Sequence, residues 1–307
     1  MSRILCIIDG MTDPQFRASD FPQLAGMRLA RYVDTCRGHA PESLGCILRL
    51  LGVAEVPEHL RGYAEALGEG VPVGQGDLIL RGSWFGVENG ICTRPVPGPE
   101  RLETAGWRYC HLEQYKSLLV FPGAAEAIRD IVTFPPYVCA GKPVEELCPL
   151  GCEVLAAAFR AQWGEERCLL PWGQSVAAAL PPFPERGAVV TGTSVVKGIA
   201  HLLGLDLLDD PRMTGEVDTD LALKVETVLK AAEVYPFVVL HINGTDEAGH
   251  RKDTGEKRAF LHRVDSEVLG VLARSGHEIW VVADHGTDPV SGCHMDFPQP
   301  VFTTKRA

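Results

Sequence analysis

The segment VVLHINGTDEAGH (residues 238–250) decides the fold. It begins as an apolar run rich in β-branched residues, interrupted only by His241, the pattern of a strand buried on both faces of a parallel sheet. It then turns polar and sets Asp246 and His250 four residues apart, one turn if a helix begins there. With the two residues before it the run becomes PFVVLHI (236–242), and three other segments share its character: RILCIID (3–9), GAVVTG (187–192) and EIWVVAD (278–284). Helical spacing fills the intervals. SVVKGIAHLLG (194–204) has Ser194 at a cap position and Gly204 as its stop, and DTDLALKVETVLKAAEVY (218–235) starts with Asp218 as its cap. EKRAFLHRVDSEVLGVLARSG (256–276) repeats apolar residues at helical intervals. This alternation predicts an α/β fold, a mainly parallel sheet with helices on both faces.

The middle of the chain breaks that rhythm. From about 56 to 165 it carries the proline clusters RPVPGPE and TFPPYV, with glycines and short mixed segments, and the alternation resumes only past PPFPERG (181–187). We therefore expect a smaller α+β domain inserted at 56–165 into a core made of 1–55 and 166–307. The absence of internal repeats and low-complexity tracts sets aside solenoid and disordered-tail architectures.

At 307 residues, 46% hydrophobic and 22% charged, the composition is that of a globular protein with a large core. A formal net charge of −11 disfavours nonspecific binding to nucleic acid or anionic membranes, while leaving room for a local basic pocket. No apolar run approaches the roughly 18 to 20 residues of a membrane span, and ILCII is too short for a signal-peptide core. A cytoplasmic location is the expectation. The ten cysteines show no repeated spacing, which suits reduced thiols, and the close pair Cys148 and Cys152 lacks partners for a zinc site. Nothing in the sequence speaks to oligomeric state.

In open α/β sheets the ligand crevice lies at the carboxyl ends of the strands, and three runs place an acid at or just past that end: Asp9, Asp246 and Asp284. Three carboxylates on one rim repel one another, and a cation relieves the repulsion. Histidines accompany them, with His250 one turn after Asp246, His285 next to Asp284, and His294 in the following loop. A single Asp at a strand end is ordinarily a turn or helix cap, and a lone histidine is ordinarily structural. Capping does not call for histidines beside two of the acids, so the joint pattern points to metal. Mixed carboxylate and imidazole donors suit Zn²⁺ or Mn²⁺, in numbers sufficient for two ions.

The strings IIDGMTD (7–13), NGTDEAGH (243–250) and ADHGTDP (283–289), followed by His294, resemble the metal motifs of the alkaline phosphatase superfamily. Within it they are most similar to cofactor-independent phosphoglycerate mutase of the archaeal type. The resemblance implies an alkaline phosphatase-like core, two metal ions, and a serine that becomes phosphorylated. APESLGCILRLLG (40–52) resembles the segment carrying that serine and implies Ser43 as the nucleophile. The carry-over assigns Asp246, His250 and His294 to one ion, and Asp9, Asp284, His285 and the Ser43 oxygen to the other. Ser43 taken alone reads as a helix N-cap, a placement that would also aim a positive helix terminus at phosphate.

Arg61 in LRGYAEALG, Arg81 in ILRGSWFGV and Lys197 in VVKGIAHLLG resemble the family's substrate-binding cations. The chain departs from the family in being shorter and in placing Tyr137, within VTFPPYVCAGKP, where a histidine is expected. The expectation is therefore a small phosphorylated substrate, 2- and 3-phosphoglycerate first. Alternatives are a phosphatase or phosphotransferase on another small ester, or a metal-binding descendant without catalysis.

Overall fold

The computed structural model of the protein describes residues 1–305. It divides into two compact units, Met1–Val56 with Pro181–Ala307, and Pro57–Leu180. In chain order the strands are β1 (Arg3–Ile8) and β2 (Arg28–Val33) in the first unit. The second unit holds β3 (Leu78–Glu88), β4 (Ile91–Pro95), β5 (Arg108–Glu113), β6 (Lys116–Phe121) and β7 (Arg167–Ser175). The chain then returns with β8 (Gly187–Val190), β9 (Asp206–Leu208), β10 (Phe237–Ile242), β11 (Glu278–Val282), β12 (Gly286–Asp288), β13 (Cys293–Met295) and β14 (Gln299–Thr303). The α-helices that matter below are α1 (Pro22–Ala25), α2 (Ser43–Leu50), α3 (Arg61–Gly68), α4 (Glu153–Arg160), α5 (Ser194–Leu203), α6 (Leu221–Ala232), α7 (Gly244–His250) and α8 (Thr254–Arg263).

The first unit is built on a seven-stranded sheet in the order β2-β14-β11-β1-β10-β8-β9. From β11 to β9 all neighbours are parallel, and β14 and β2 close one edge antiparallel. The mainly parallel sheet expected from the four apolar runs is present, and those runs are its central strands. β10 is buried along its whole length, which accounts for its lack of alternation. Ile4, Cys6, Ile8, Val238, Leu240 and Ile242 pack with Val225 and Val228 of α6 and with Phe260 and Leu261 of α8 in one apolar core. The cap of α6 is Asp220, which accepts from the Leu223 N–H, and not Asp218; two residues of the expected helix stay in the preceding turn. Helix α5 starts at Ser194 with Thr193 as its N-cap, and Gly204 ends it at φ +66°, a left-handed conformation that glycine adopts without steric cost.

The second unit holds an antiparallel sheet centred on β3, which pairs with β4, β6 and β7. The β3–β4 hairpin turns at Asn89 and Gly90, at φ 52° and 76°, the pairing that a two-residue turn between twisted strands favours. Strand β7 carries a correction: residues 166–180 were expected in the core, yet β7 runs along β3 and belongs to the second unit, whose chain leaves only at Leu180. Trp107, Phe121 and Phe159 of α4 form the aromatic centre of this unit. Among the described residues no helix is long and apolar enough to cross a membrane.

Candidate metal centre

Sheet register brings the first two acids level. Ile7 lies opposite Val282 and Ile8 opposite Ile242, so Asp9 and Asp284 leave their strands side by side with Asn243 as the third neighbour. Asp246 then arrives in the first turn of α7. The chain between Asp9 and Met11 must bend sharply beneath it. Gly10 does so at φ +63°, and a Cβ there would stand 2.6 Å from Thr287 Oγ1 and 2.9 Å from Asp246 Cα. The Gly10 N–H donates to Asp284 Oδ1 at 3.3 Å.

Two groups of side chains converge at this rim, Asp9 with Asp284 and His285, and Asp246 with His285 and His294, the potential ligand atoms of each lying within 4.8 Å of one another. His285 reaches both groups. His250 joins the second, its Nε2 3.2 Å from Asp246 Oδ2 and 2.9 Å from His294 Nε2. Ser43 is the first residue of α2, with Glu42 rather than the serine as N-cap. Its Oγ lies 3.2 Å from His285 Nε2. All seven residues expected around the metals are therefore neighbours in space.

Burial sets the electrostatics. Asp9 and Asp284 are 1% and 0% exposed, and Asp9 Oδ1 and Asp284 Oδ2 have no hydrogen-bond partner. Ionised carboxylate oxygens left bare in a low-dielectric site are costly. In the metal-free protein burial, followed by the charges of Asp284 and Asp246, pushes the Asp9 carboxyl well above its usual range. A divalent cation supplies the missing partner, so the donor set fits one. Burial also raises Asp246, but His250 and His294 outweigh it and hold that carboxyl well below the usual range. His250 is correspondingly lifted to about 9, Asp246 overcoming the opposing effect of burial. Burial lowers His285.

Some participants were not foreseen. His241, fully buried in β10, lies 3.2 Å from Asp9 Oδ2 through its Nε2, and burial lowers it to about 3. Thr287 donates its hydroxyl to Asp246 Oδ1 at 2.5 Å. Lys224, 0% exposed, donates to the carbonyls of His241 and Thr214 at 3.2 and 3.3 Å, and burial brings it down to about 8. A charged residue inside the amphipathic pattern of α6 was the available signal, since the helix surface facing the sheet should be apolar.

The expected substrate cations have defined places. Lys197 of α5 pairs with Asp209 at 2.9 Å in the first unit. In the second unit Arg61 Nε bonds Glu65 Oε1 at 2.6 Å, Arg81 bonds Glu65 Oε2, and both guanidiniums lie over the Trp172 ring. Glu65 is 1% exposed; burial alone would raise it, but Arg81 and Arg61 lower it. Tyr137 is exposed.

Comparison with known proteins agrees with this architecture. The Metalloenzyme superfamily matches residues 183–306. The 2,3-bisphosphoglycerate-independent phosphoglycerate mutase of Methanopyrus kandleri is 29% identical over 354 aligned positions, spanning 96% of this chain and 82% of that protein. The second such enzyme of Methanothermobacter thermautotrophicus is 28% identical, spanning 98% and 88%. Among solved structures, the PH0037 protein from Pyrococcus horikoshii superposes with a TM-score of 0.71 at 20% identity, covering 98% of this chain and 87% of that one. The cofactor-independent phosphoglycerate mutase from Thermoplasma acidophilum gives a TM-score of 0.50 at 18% identity, covering 99% and 89%. Residues 183–306 thus match the Metalloenzyme superfamily, and nearly the whole chain is similar in sequence to archaeal cofactor-independent phosphoglycerate mutases.

Proposed function

We propose that this protein transfers phosphoryl groups through a phosphoserine at Ser43, interconverting 2- and 3-phosphoglycerate or a closely related small ester. The observation that carries the reading is the pair of bare, buried oxygens, Asp9 Oδ1 and Asp284 Oδ2, in one cluster with a serine at a helix N-terminus. Asp9, Asp284, His285 and Ser43 would hold one divalent ion, and Asp246, His250 and His294 the other, Mn²⁺ or Zn²⁺ by donor type. Such ions would favour the Ser43 alkoxide and neutralise the phosphoryl oxygens.

The chain's own groups supply the rest. Ser43 Oγ loses its proton and forms a bond to phosphorus as the ester P–O bond breaks, and the departing alcohol oxygen takes up a proton. Reversal onto the neighbouring hydroxyl of the same glycerate returns the phosphoryl group and restores the serine. The free N–H groups in the first turn of α2 offer donors and a positive pole to the transferring phosphate. Arg61, Arg81 and Lys197 are proposed for the substrate's anionic groups; Glu65 and Trp172 fix the two guanidiniums in advance.

Phosphorus NMR of 3-phosphoglycerate incubated with the Mn²⁺-loaded protein tests this directly. Conversion to 2-phosphoglycerate is expected. Free phosphate as the main product would instead identify a phosphatase. No turnover of either kind, with hydrolysis of a generic aryl phosphate, would keep the chemistry and overturn the substrate.

A further inference from the structure

Behind Asp9 lies a chain of hydrogen bonds that the mechanism above does not use. The Thr193 N–H donates to Thr191 Oγ1 at 3.1 Å, Thr191 Oγ1 lies 3.2 Å from His241 Nδ1, and His241 Nε2 lies 3.2 Å from Asp9 Oδ2. A metal-ligating Asp9 is deprotonated and only accepts, so in that state the ring nitrogen facing it carries the proton. In a neutral imidazole Nδ1 then accepts, and the Thr191 hydroxyl donates to it while its oxygen receives the Thr193 N–H. Every atom in the chain has one role, and the ring has one tautomer.

The chain treats the two oxygens of Asp9 differently. Oδ2 is occupied by His241, whereas Oδ1 has no hydrogen-bond partner and lies 3.5 Å from His285 Nε2, on the side of the convergent acids and imidazoles. The backbone that carries Asp9 and His241 is itself fixed. Thr245 bonds the Asp9 carbonyl, Lys224 holds the His241 carbonyl, and β1 and β10 are in register up to Ile8 and Ile242. We infer that His241, set by Thr191, is a positioning residue that keeps Asp9 a one-oxygen ligand and aims Oδ1 at the cation. The inference rests on the two-metal reading above. Hydrogen-bonded partners behind a ligand ordinarily tune metal affinity by about tenfold to a hundredfold.

The test is Mn²⁺ binding to the metal-stripped full-length chain at one pH, read from the electron paramagnetic resonance signal of free Mn²⁺. The wild type is compared with His241→Leu, His241→Gln and Thr191→Val. Wild type should take up two ions. His241→Leu should bind one of them about tenfold to a hundredfold more weakly and the other within about twofold. His241→Gln, whose amide nitrogen can stand where Nε2 stood, should recover most of the loss, a rescue that mere filling of the core would not produce. Thr191→Val should show a smaller, several-fold loss at the same ion, and it decides the matter if circular dichroism shows His241→Leu unfolded. Unchanged affinities in the folded variants, or an equal loss of both ions, would overturn the positioning role. A wild type that takes up no Mn²⁺ would remove the two-metal reading itself.

Discussion

Loading the metal-free protein with Mn²⁺ at pH 7 should release about one proton from His250. Its Nε2 faces Asp246 Oδ2 at 3.2 Å and His294 Nε2 at 2.9 Å, and its Nδ1 lies 2.9 Å from the Gly292 carbonyl. Burial opposes protonation, but Asp246, the Gly292 carbonyl and Glu247 lift the ring to about 9. At pH 7 roughly 99% of the rings then carry both protons, and a cation at Nε2 must displace one. Affinity for that ion should climb by about tenfold per pH unit between pH 6 and 8 and level off near the His250 pKa. Asp9, held up by burial and by Asp284 and Asp246, should make the other ion bind more tightly as pH rises. Calorimetric titrations in buffers of different ionisation enthalpy count the protons, and His250→Ala should lose this one. Zero release together with a flat affinity across that range would refute the reasoning. Stability of the metal-free protein follows the same linkage. The raised His250 value favours the folded state fully below the ordinary histidine value of 6.5, and this contribution fades as pH rises through about 9.

Three further outcomes are expected. Ser43→Ala should keep the fold and at least one ion but lose turnover in the phosphoglycerate assay; full activity would defeat the phosphoserine. Arg81→Met leaves the buried Glu65 carboxylate with Arg61 alone, and denaturant unfolding should register a loss of about 3 to 5 kcal/mol, whereas Arg61→Met, removing the less buried partner, should cost less. Gly10→Ala forces a side chain into a left-handed conformation against Thr287 and Asp246, so Mn²⁺ uptake should weaken and stability should fall by about 1 to 3 kcal/mol.

The parallel core was legible because burial on both faces erases alternation and leaves β10 and its neighbours as plain apolar runs. Asp9, Asp246 and Asp284 were legible for the complementary reason: acids at the ends of such runs have few structural uses. His241 was not, since one histidine inside an apolar strand has the same appearance whether it fills space or holds a ligand; only the sheet register places it behind Asp9. The role of Glu65 is not legible either: a glutamate four residues after Arg61 has the pattern of an ordinary helix-surface pair, and only the fold shows that it is buried and shared with Arg81. β7 was assigned to the wrong unit because antiparallel pairing with β3, 80 or more residues earlier, leaves no local mark. The Asp218 and Asp220 ambiguity is likewise local, as either acid could cap the helix until the turn before it is fixed.

The place of β1 in the sheet bears on how the protein is made. β1 ends at Ile8, but its two partners begin at Phe237 and Glu278, so the strand leaves the ribosome about 230 residues before either neighbour exists. At ordinary elongation speeds that gap lasts on the order of 10 to 50 s. The contiguous stretch Pro57–Leu180 can close its own antiparallel sheet in the interval. The apolar ILCII segment meanwhile lacks both of its sheet neighbours, which leaves its strand edges open to wrong pairing until they arrive. A release of the nascent chain before β10 is synthesised should therefore yield an ordered middle segment with a sticky N-terminal tail.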